Sequence, residues 1–416
     1  MTAPAAVGPA SRVLLHPLQT RRDGDDYLVG RVEIGEFVAV PEVAADALGL
    51  LGEGLPVDAV RDRLRERHGR DIDVAEFVGN LVDLGFVAAV DGNPVAGPDP
   101  IRPTWPWLRP RHVRWTQSRI VAAAVLAVPP LAVLAMVWST DLIPTYRDLL
   151  WSPHLTLVLL GNAAIGWSIV FLHELAHLTT ARAAGVPGQI RFGTRLQFLV
   201  VQTDVTGVWG APRRVRVTVY LAGIAVDLAI AGGAILARAA TGPDSAAGQV
   251  FGAVALVALL PVPTQLLLFM RTDVYFVVQD LTGCRNLYAD GSAYVRYLLR
   301  RSFGRRGSRP ADPTAGLAGT ERRTVRGYAP VLAVGTALCL LFAAVVTVPA
   351  AVTLIARAGR ALTGPADVGA RLDAAVAALL VAGVWLLWCR VWWRRHGPRV
   401  TAWWARVRPQ AATGGR

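Results

Sequence analysis

Lysine is absent from this chain. All 43 basic residues are arginine, which excludes a serine–lysine dyad. Cysteine is scarce: Cys284, Cys339 and Cys389 stand singly and far apart, so neither a disulfide framework nor a thiolate zinc site is indicated. Charge is thin, at 18% of residues, where soluble proteins carry about a quarter. No secretory signal precedes the first long apolar run, which begins near Ile120, so the residues before it are expected to stay in the cytoplasm. Of the seven histidines, only His173 and His177 are close together. The formal charge of +13 raises the question of nucleic acid. The arginines, however, gather at the ends of apolar segments, and no basic–aromatic interleaving occurs in the polar part. No nucleic-acid partner is expected.

Apolar residues are abundant, at 53% of the chain with a mean hydropathy of +0.40, and they are spread unevenly. Residues 1–24 are small, polar and irregular and read as a flexible tail. Residues 25–93 read as a small αβ domain. Tyr27–Val40 alternates as a hairpin turning at Gly35-Glu36, helical patterns follow at 42–52, 56–68 and 73–84, and Phe86–Val90 returns as a strand. The proline-rich segment 94–118 reads as a linker. Its Trp105, Trp107 and Trp115, beside Arg109, Arg111 and Arg114, suit a membrane interface.

Six apolar segments follow, at 120–138, 156–180, 215–237, 248–270, 329–355 and 370–390. Each is long enough to cross a hydrocarbon core, which takes about 20 helical residues. Pro129-Pro130 and Pro261-Val-Pro263 are expected to kink or break the first and fourth. Arginine is dense in 109–119, 182–216, 271–327 and 390–416, with one in 139–155 and one in 238–247. That distribution predicts both termini on the cytoplasmic side; the 356–371 loop, with Arg357, Arg360 and Arg371, runs against it. Residues 119–290 are expected to form a membrane core, 291–327 a basic cytoplasmic loop, 328–392 two further spans and 393–416 a basic tail. Phe198-Leu199-Val200-Val201 is too short to span and reads as a hairpin or re-entrant segment. The expected fold class is a multi-pass α-helical protein of the cell membrane, with about six spans and a small winged-helix-like α+β cytoplasmic domain.

The second span contains Phe171-Leu-His173-Glu174-Leu-Ala-His177-Leu178, a His-Glu-x-x-His pattern on a helix. Residues four apart share a helix face, so the two imidazoles can grip one zinc ion, with Glu174 beside them to take a proton from water. Three ionisable residues inside an apolar span are costly and need a reason. The bland alternative is a hydrogen-bonded polar cluster between helices. A catalytic zinc takes three protein ligands and an open position. His154 lies on the expected outer side. The fourth span ends on the cytoplasmic side at Phe269-Met-Arg-Thr-Asp273, where Asp273 is at the depth of the histidines. Asp273 is read as the third ligand, against an interfacial carboxylate paired with Arg271.

Three further acids each have two readings. Asp227, mid-span in the third helix, either serves substrate or chemistry or hydrogen-bonds a neighbouring helix. Asp204 either shapes an entrance or caps a turn. Asp280 either orients a ligand or caps a helix.

The 156–290 region resembles the site-2 protease family of intramembrane metalloproteases. That family carries His-Glu-x-x-His on one transmembrane helix and an aspartate ligand near the cytoplasmic end of a later one. It is most similar to the branch of peptide zinc metalloproteases with an Asp-Gly-Tyr, Asp-Leu and Asn-Leu element. The corresponding stretch here is Asp273-Val274-Tyr275, Asp280-Leu281 and Asn286-Leu287. Val274 stands where that branch has glycine. Its Asn-Pro element is absent, with Leu260-Pro-Val-Pro263 nearby instead. The resemblance implies a Zn2+ cofactor on His173, His177 and Asp273, with Glu174 catalytic.

Residues 25–93 resemble PqqD-type domains, through the hairpin, Leu48-Gly-Leu-Leu-Gly-Glu-Gly54, Val57-Asp-Ala-Val60 and Phe77–Val87. Those winged-helix modules recognise leader peptides of ribosomally made, modified peptides. The implied mode is strand addition to the hairpin edge. Docking to the membrane part or binding DNA are the alternatives, and the acids Asp23, Asp25, Asp26, Glu33 and Glu36 argue against DNA. The expected activity is hydrolysis of a peptide or membrane-protein substrate near the cytoplasmic face, in the setting of peptide maturation. The competing expectation is a non-proteolytic membrane partner that binds a peptide for export or immunity. No Gly-x-Ser-Gly or Gly-x-Gly-Asp signature supports another intramembrane protease class.

Overall fold

The computed structural model describes residues 7–196, 198–303, 311–364 and 367–407. The chain groups into two compact units. One comprises Met1–Val121, His177–Ile190 and Thr203–Val219; the other comprises Ala122–Ala176, Arg191–Gln202 and Tyr220–Arg416.

The first unit opens with strands β1 (Val13–Leu15) and β2 (Gln19–Asp23), where composition alone reads as a flexible tail. The correction has a non-local cause. β1 pairs antiparallel with a strand more than seventy residues later, and Asp91 accepts hydrogen bonds from Ser11 Oγ at 2.8 Å and Arg12 N at 2.7 Å. Residues 1–6 of that expected tail lie outside the described residues. Strands β3 (Asp26–Arg31) and β4 (Glu36–Pro41) form the expected hairpin and join β2 in the order β2-β3-β4. Gly35 closes its turn at φ +70°, a conformation that glycine adopts without strain.

Helices α1 (Glu42–Gly52), α2 (Val57–His68) and α3 (Val74–Asp83) follow where the periodicity places them. Asp73 caps α3 by accepting from Glu76 N at 2.9 Å, and Gly69 ends α2 in the left-handed conformation. Strands β5 (Val87–Val90) and β6 (Asn93–Pro94) complete a second sheet, β1-β5-β6. Val29, Leu51, Val60, Leu64, Val78 and Phe86 are fully enclosed in the core between these elements. A short α4 (Pro110–Val113) interrupts the proline-rich segment. In the same unit the 3-10 turn Thr206–Gly210 lies against β2-β3-β4, where a Cβ at Gly210 would run into Gln19 and Phe37.

The second unit is mostly helical. Among the described residues, six helices are long and apolar enough to cross a membrane: Arg119–Trp138, Thr156–Ala183, Arg213–Thr241, Ala246–Thr264, Gly319–Thr363 and Arg371–Pro398. In element terms these are α5 (Arg119–Trp138), α6 (Leu155–Ala183), α7 (Arg213–Thr241), α8 (Ala246–Leu259) with α9 (Pro261–Thr264), then a later group. Pro129 and Pro130 do not break α5. Proline is tolerated in apolar helices where neighbours or local adjustment satisfy the freed carbonyls. Pro261 and Pro263 do end the regular α8, and the chain leaves helical geometry at Leu267 before α10 (Asp273–Thr282).

Strands β7 (Gln189–Arg195) and β8 (Phe198–Asp204) form a two-stranded hairpin between α6 and α7. This is the hairpin of the two alternatives read from 198–201. The basic 291–327 segment is largely helical, with α11 (Leu287–Phe303) packed on α12 (Gly319–Phe342). Its residues 304–310 lie outside the described residues. A π-helical segment joins α12 to α13 (Val348–Thr363). α14 (Val368–Val407) continues through most of the expected basic tail, because arginine is a good helix former and Trp388, Trp392 and His396 pack ring to ring along it. Residues 408–416 lie outside the described residues. Arg238 at the end of α7 pairs with Asp148 at 2.9 Å, both largely buried.

Truncating Phe86 to alanine is expected to cost about 3–5 kcal/mol. Hydrogen exchange on the full-length protein should show lost protection in α1 and α3, with α8 unaffected.

Candidate metal centre

α6 carries His173, Glu174 and His177 in one unbroken helix, so the two imidazoles are one turn apart and share a face. His173 Nδ1 lies 2.8 Å from Asp227 Oδ2, and His173 Nε2 lies 3.1 Å from Asp273 Oδ2. The ring is thus held between carboxylates of α7 and α10. His177 Nδ1 is 2.8 Å from the Val219 carbonyl oxygen. A carbonyl only accepts, so Nδ1 carries the proton and Nε2 of a neutral His177 is left with its lone pair. His173, His177 and Asp273 each offer one ligand atom, and these atoms all lie within 4.8 Å of one another. Because α6 is continuous, His177 keeps its place relative to His173 through the helix itself.

Glu174 is 8% exposed and sits next to His173 in the chain. Asp227 is buried outright. Two imidazoles with two buried acids, Glu174 and Asp227, and a partly exposed third, Asp273, are costly in apolar surroundings unless positive charge offsets them. The hairpin supplies part of it. Burial pushes the Arg195 guanidinium below its usual value, and the charges of Asp273 and Glu174 push it back up. Two imidazoles and one carboxylate are a donor set that could hold a metal ion, of the nitrogen-and-oxygen kind that zinc among others accepts.

Asp273 is fixed by the chain around it. Arg271 adopts a left-handed conformation, φ 56°, turning the backbone into α10. Its guanidinium lies over the rings of Phe276 and Tyr288, at 5.8 and 5.5 Å. Gln265 Oε1 accepts the Asp273 N–H at 3.1 Å, and the Gln265 carbonyl accepts the Thr272 hydroxyl at 2.6 Å. Both depend on the chain leaving the helix after Pro263. Tyr275 anchors the other side of α10. Its ring is buried with Cys284, Leu287 and Tyr328, and its hydroxyl accepts the Tyr288 N–H at 2.9 Å. Burial pushes the Tyr275 phenol up to about 12, so it stays neutral.

The other acids are distributed differently. Asp204 Oδ1 accepts from Thr206 N at 3.1 Å and Thr206 Oγ1 at 2.6 Å, the turn-capping role. Asp280 lies seven residues beyond Asp273 on α10, a rise of about 10 Å along the helix. Asp227 touches a histidine of the motif, His173. Sequence reasoning missed Gln265 and the nearness of Arg195 to the acids. Neither carries a pattern of its own: one is a lone amide before three leucines, the other one arginine among many. Compared with protein-family models, curated proteins and solved structures, the chain matches none.

Replacing Gln265 with leucine is expected to cost about 1–2 kcal/mol locally, because it leaves the Asp273 N–H without its acceptor. The readout is faster amide exchange at Asp273 and at the first turn of α10, with α6 exchange unchanged.

Proposed function

We propose that the chain is a membrane-embedded zinc metallo-endopeptidase that cleaves a peptide or membrane-protein substrate near the cytoplasmic face. The observation that carries this reading is the convergence of His173, His177 and Asp273 beside Glu174, on helices long and apolar enough to span. His173 Nε2, His177 Nε2 and the Asp273 carboxylate would hold the metal. What a zinc ion would supply there is polarisation of the scissile carbonyl and a more acidic attacking water. Glu174 takes the proton from that water and returns it to the leaving amine as the peptide bond breaks. Arg195, on the neighbouring hairpin, adds positive charge beside these acids. A helical substrate must unwind first, because its carbonyls are otherwise bonded within its own helix.

Both termini lie in the cytoplasm in this reading, and the chain crosses the cell membrane six times by its six long apolar helices. Of the three outer loops in this reading, 139–155 and 238–247 carry one arginine each, and Asp148 pairs with Arg238; the third, 356–371, carries Arg357, Arg360 and Arg371 and runs against the rule. The N-terminal β-and-α region is read as a winged-helix, PqqD-like module that takes a peptide by strand addition. β2 and β4 are the edges of its three-stranded sheet. Maturation of a ribosomally made peptide is the setting that joins the two parts.

Changing Glu174 to glutamine is expected to reduce cleavage about 10²–10⁴-fold while bound metal is retained. Comparing the small peptides and membrane proteins of cells carrying either form should reveal an accumulating precursor. Unaltered processing together with normal peptide export would sink the peptidase and favour a non-proteolytic partner. Asp273→Ala and His177→Ala are both expected to lose stoichiometric zinc on purification, as measured by elemental analysis.

A further inference from the structure

We propose that Asp227 is a positioning residue that fixes the His173 ring and strengthens it as a metal ligand. The inference rests on the zinc reading above.

Asp227 is 1% exposed in the middle of α7. Its Oδ2 meets His173 Nδ1 at 2.8 Å, while its Oδ1 is buried with no hydrogen-bond partner among the described residues. Ile169, one turn before His173, packs with Ala231, one turn after Asp227, and with Ala258 of α8, all three enclosed. A carboxylate kept there serves a purpose that a neutral packing residue does not. An ionised Asp227 can only accept, so the proton in the contact sits on His173 Nδ1. The lone pair of a neutral ring then lies on Nε2, the nitrogen that faces Asp273. The same contact stops the ring from rotating and raises its basicity, as outer carboxylates do for histidine ligands. Pure helix–helix packing predicts something different: a neutral residue of equal size would serve as well as the aspartate.

The test uses full-length protein purified in detergent, with zinc affinity measured by chelator competition and the absorption spectrum recorded after loading with cobalt(II). Asp227→Asn keeps the volume and an acceptor but removes the charge; Asp227→Ala removes both. The expected result is about 10–100-fold weaker zinc binding in Asp227→Asn. Its cobalt bands should shift while the helical circular dichroism is unchanged. Should Asp227→Ala fail to fold, Asp227→Asn decides. Wild-type protein that holds one zinc, with Asp227→Asn equal to it in affinity and cobalt spectrum, overturns the role of Asp227 and leaves the metal site standing. Wild-type protein that holds no zinc overturns both.

Discussion

The His173 ring, clasped between Asp227 and Asp273, is the contact around which the helical unit is organised. It joins three elements far apart in sequence: α6, α7 and the start of α10. An imidazole has two nitrogens on opposite edges, so it can bridge two acids only if both helices are held at fixed depth. The enclosed alanines 231 and 258 allow the close approach from two sides. The proline-rich break after α8 supplies the third, since a straight continuation of that helix would carry residue 273 onward instead of turning it back.

Fixing one aspartate takes many residues. Gln265 holds its amide, Arg271 lies over two rings, and Tyr275 is buried behind it. None of these contacts is chemically special. Together they take the freedom out of a short helix whose first residue is the candidate ligand. Val274 sits in an ordinary helical turn, so no unusual backbone conformation is demanded there.

Much of this arrangement is written locally in the chain. The three N-terminal helices announce themselves through apolar spacing and through Asp73 and Gly69 at their ends. The four-residue spacing of His173 and His177 needs only helix geometry, and Asp273 follows from comparing the depths at which two apolar runs finish. What is written non-locally has no local signature. Residues 13–15 look like tail because their partner strand is at 87–90. The acceptor for His177 is a backbone carbonyl at Val219, and no side-chain pattern can reveal a carbonyl. Pro129-Pro130 and Pro261-Val-Pro263 look alike in sequence, yet one pair lies within an unbroken helix and the other ends one. Their neighbours decide, because the freed carbonyls must find partners in the first case and can turn away in the second.

The last helix has a bearing on the hairpin between α6 and α7. Trp388 donates its indole N–H to the carbonyl of Leu196, at 3.3 Å, where the hairpin reverses with φ 52°. Arg195, which feels the charges of Asp273 and Glu174, is the residue just before that reversal. A chain shortened ahead of residue 388 would therefore keep the whole candidate ligand set and lose this tether on the loop beside it. Possession of the motif and the later aspartate does not make two such chains equivalent, because the distant last helix also holds the loop beside them.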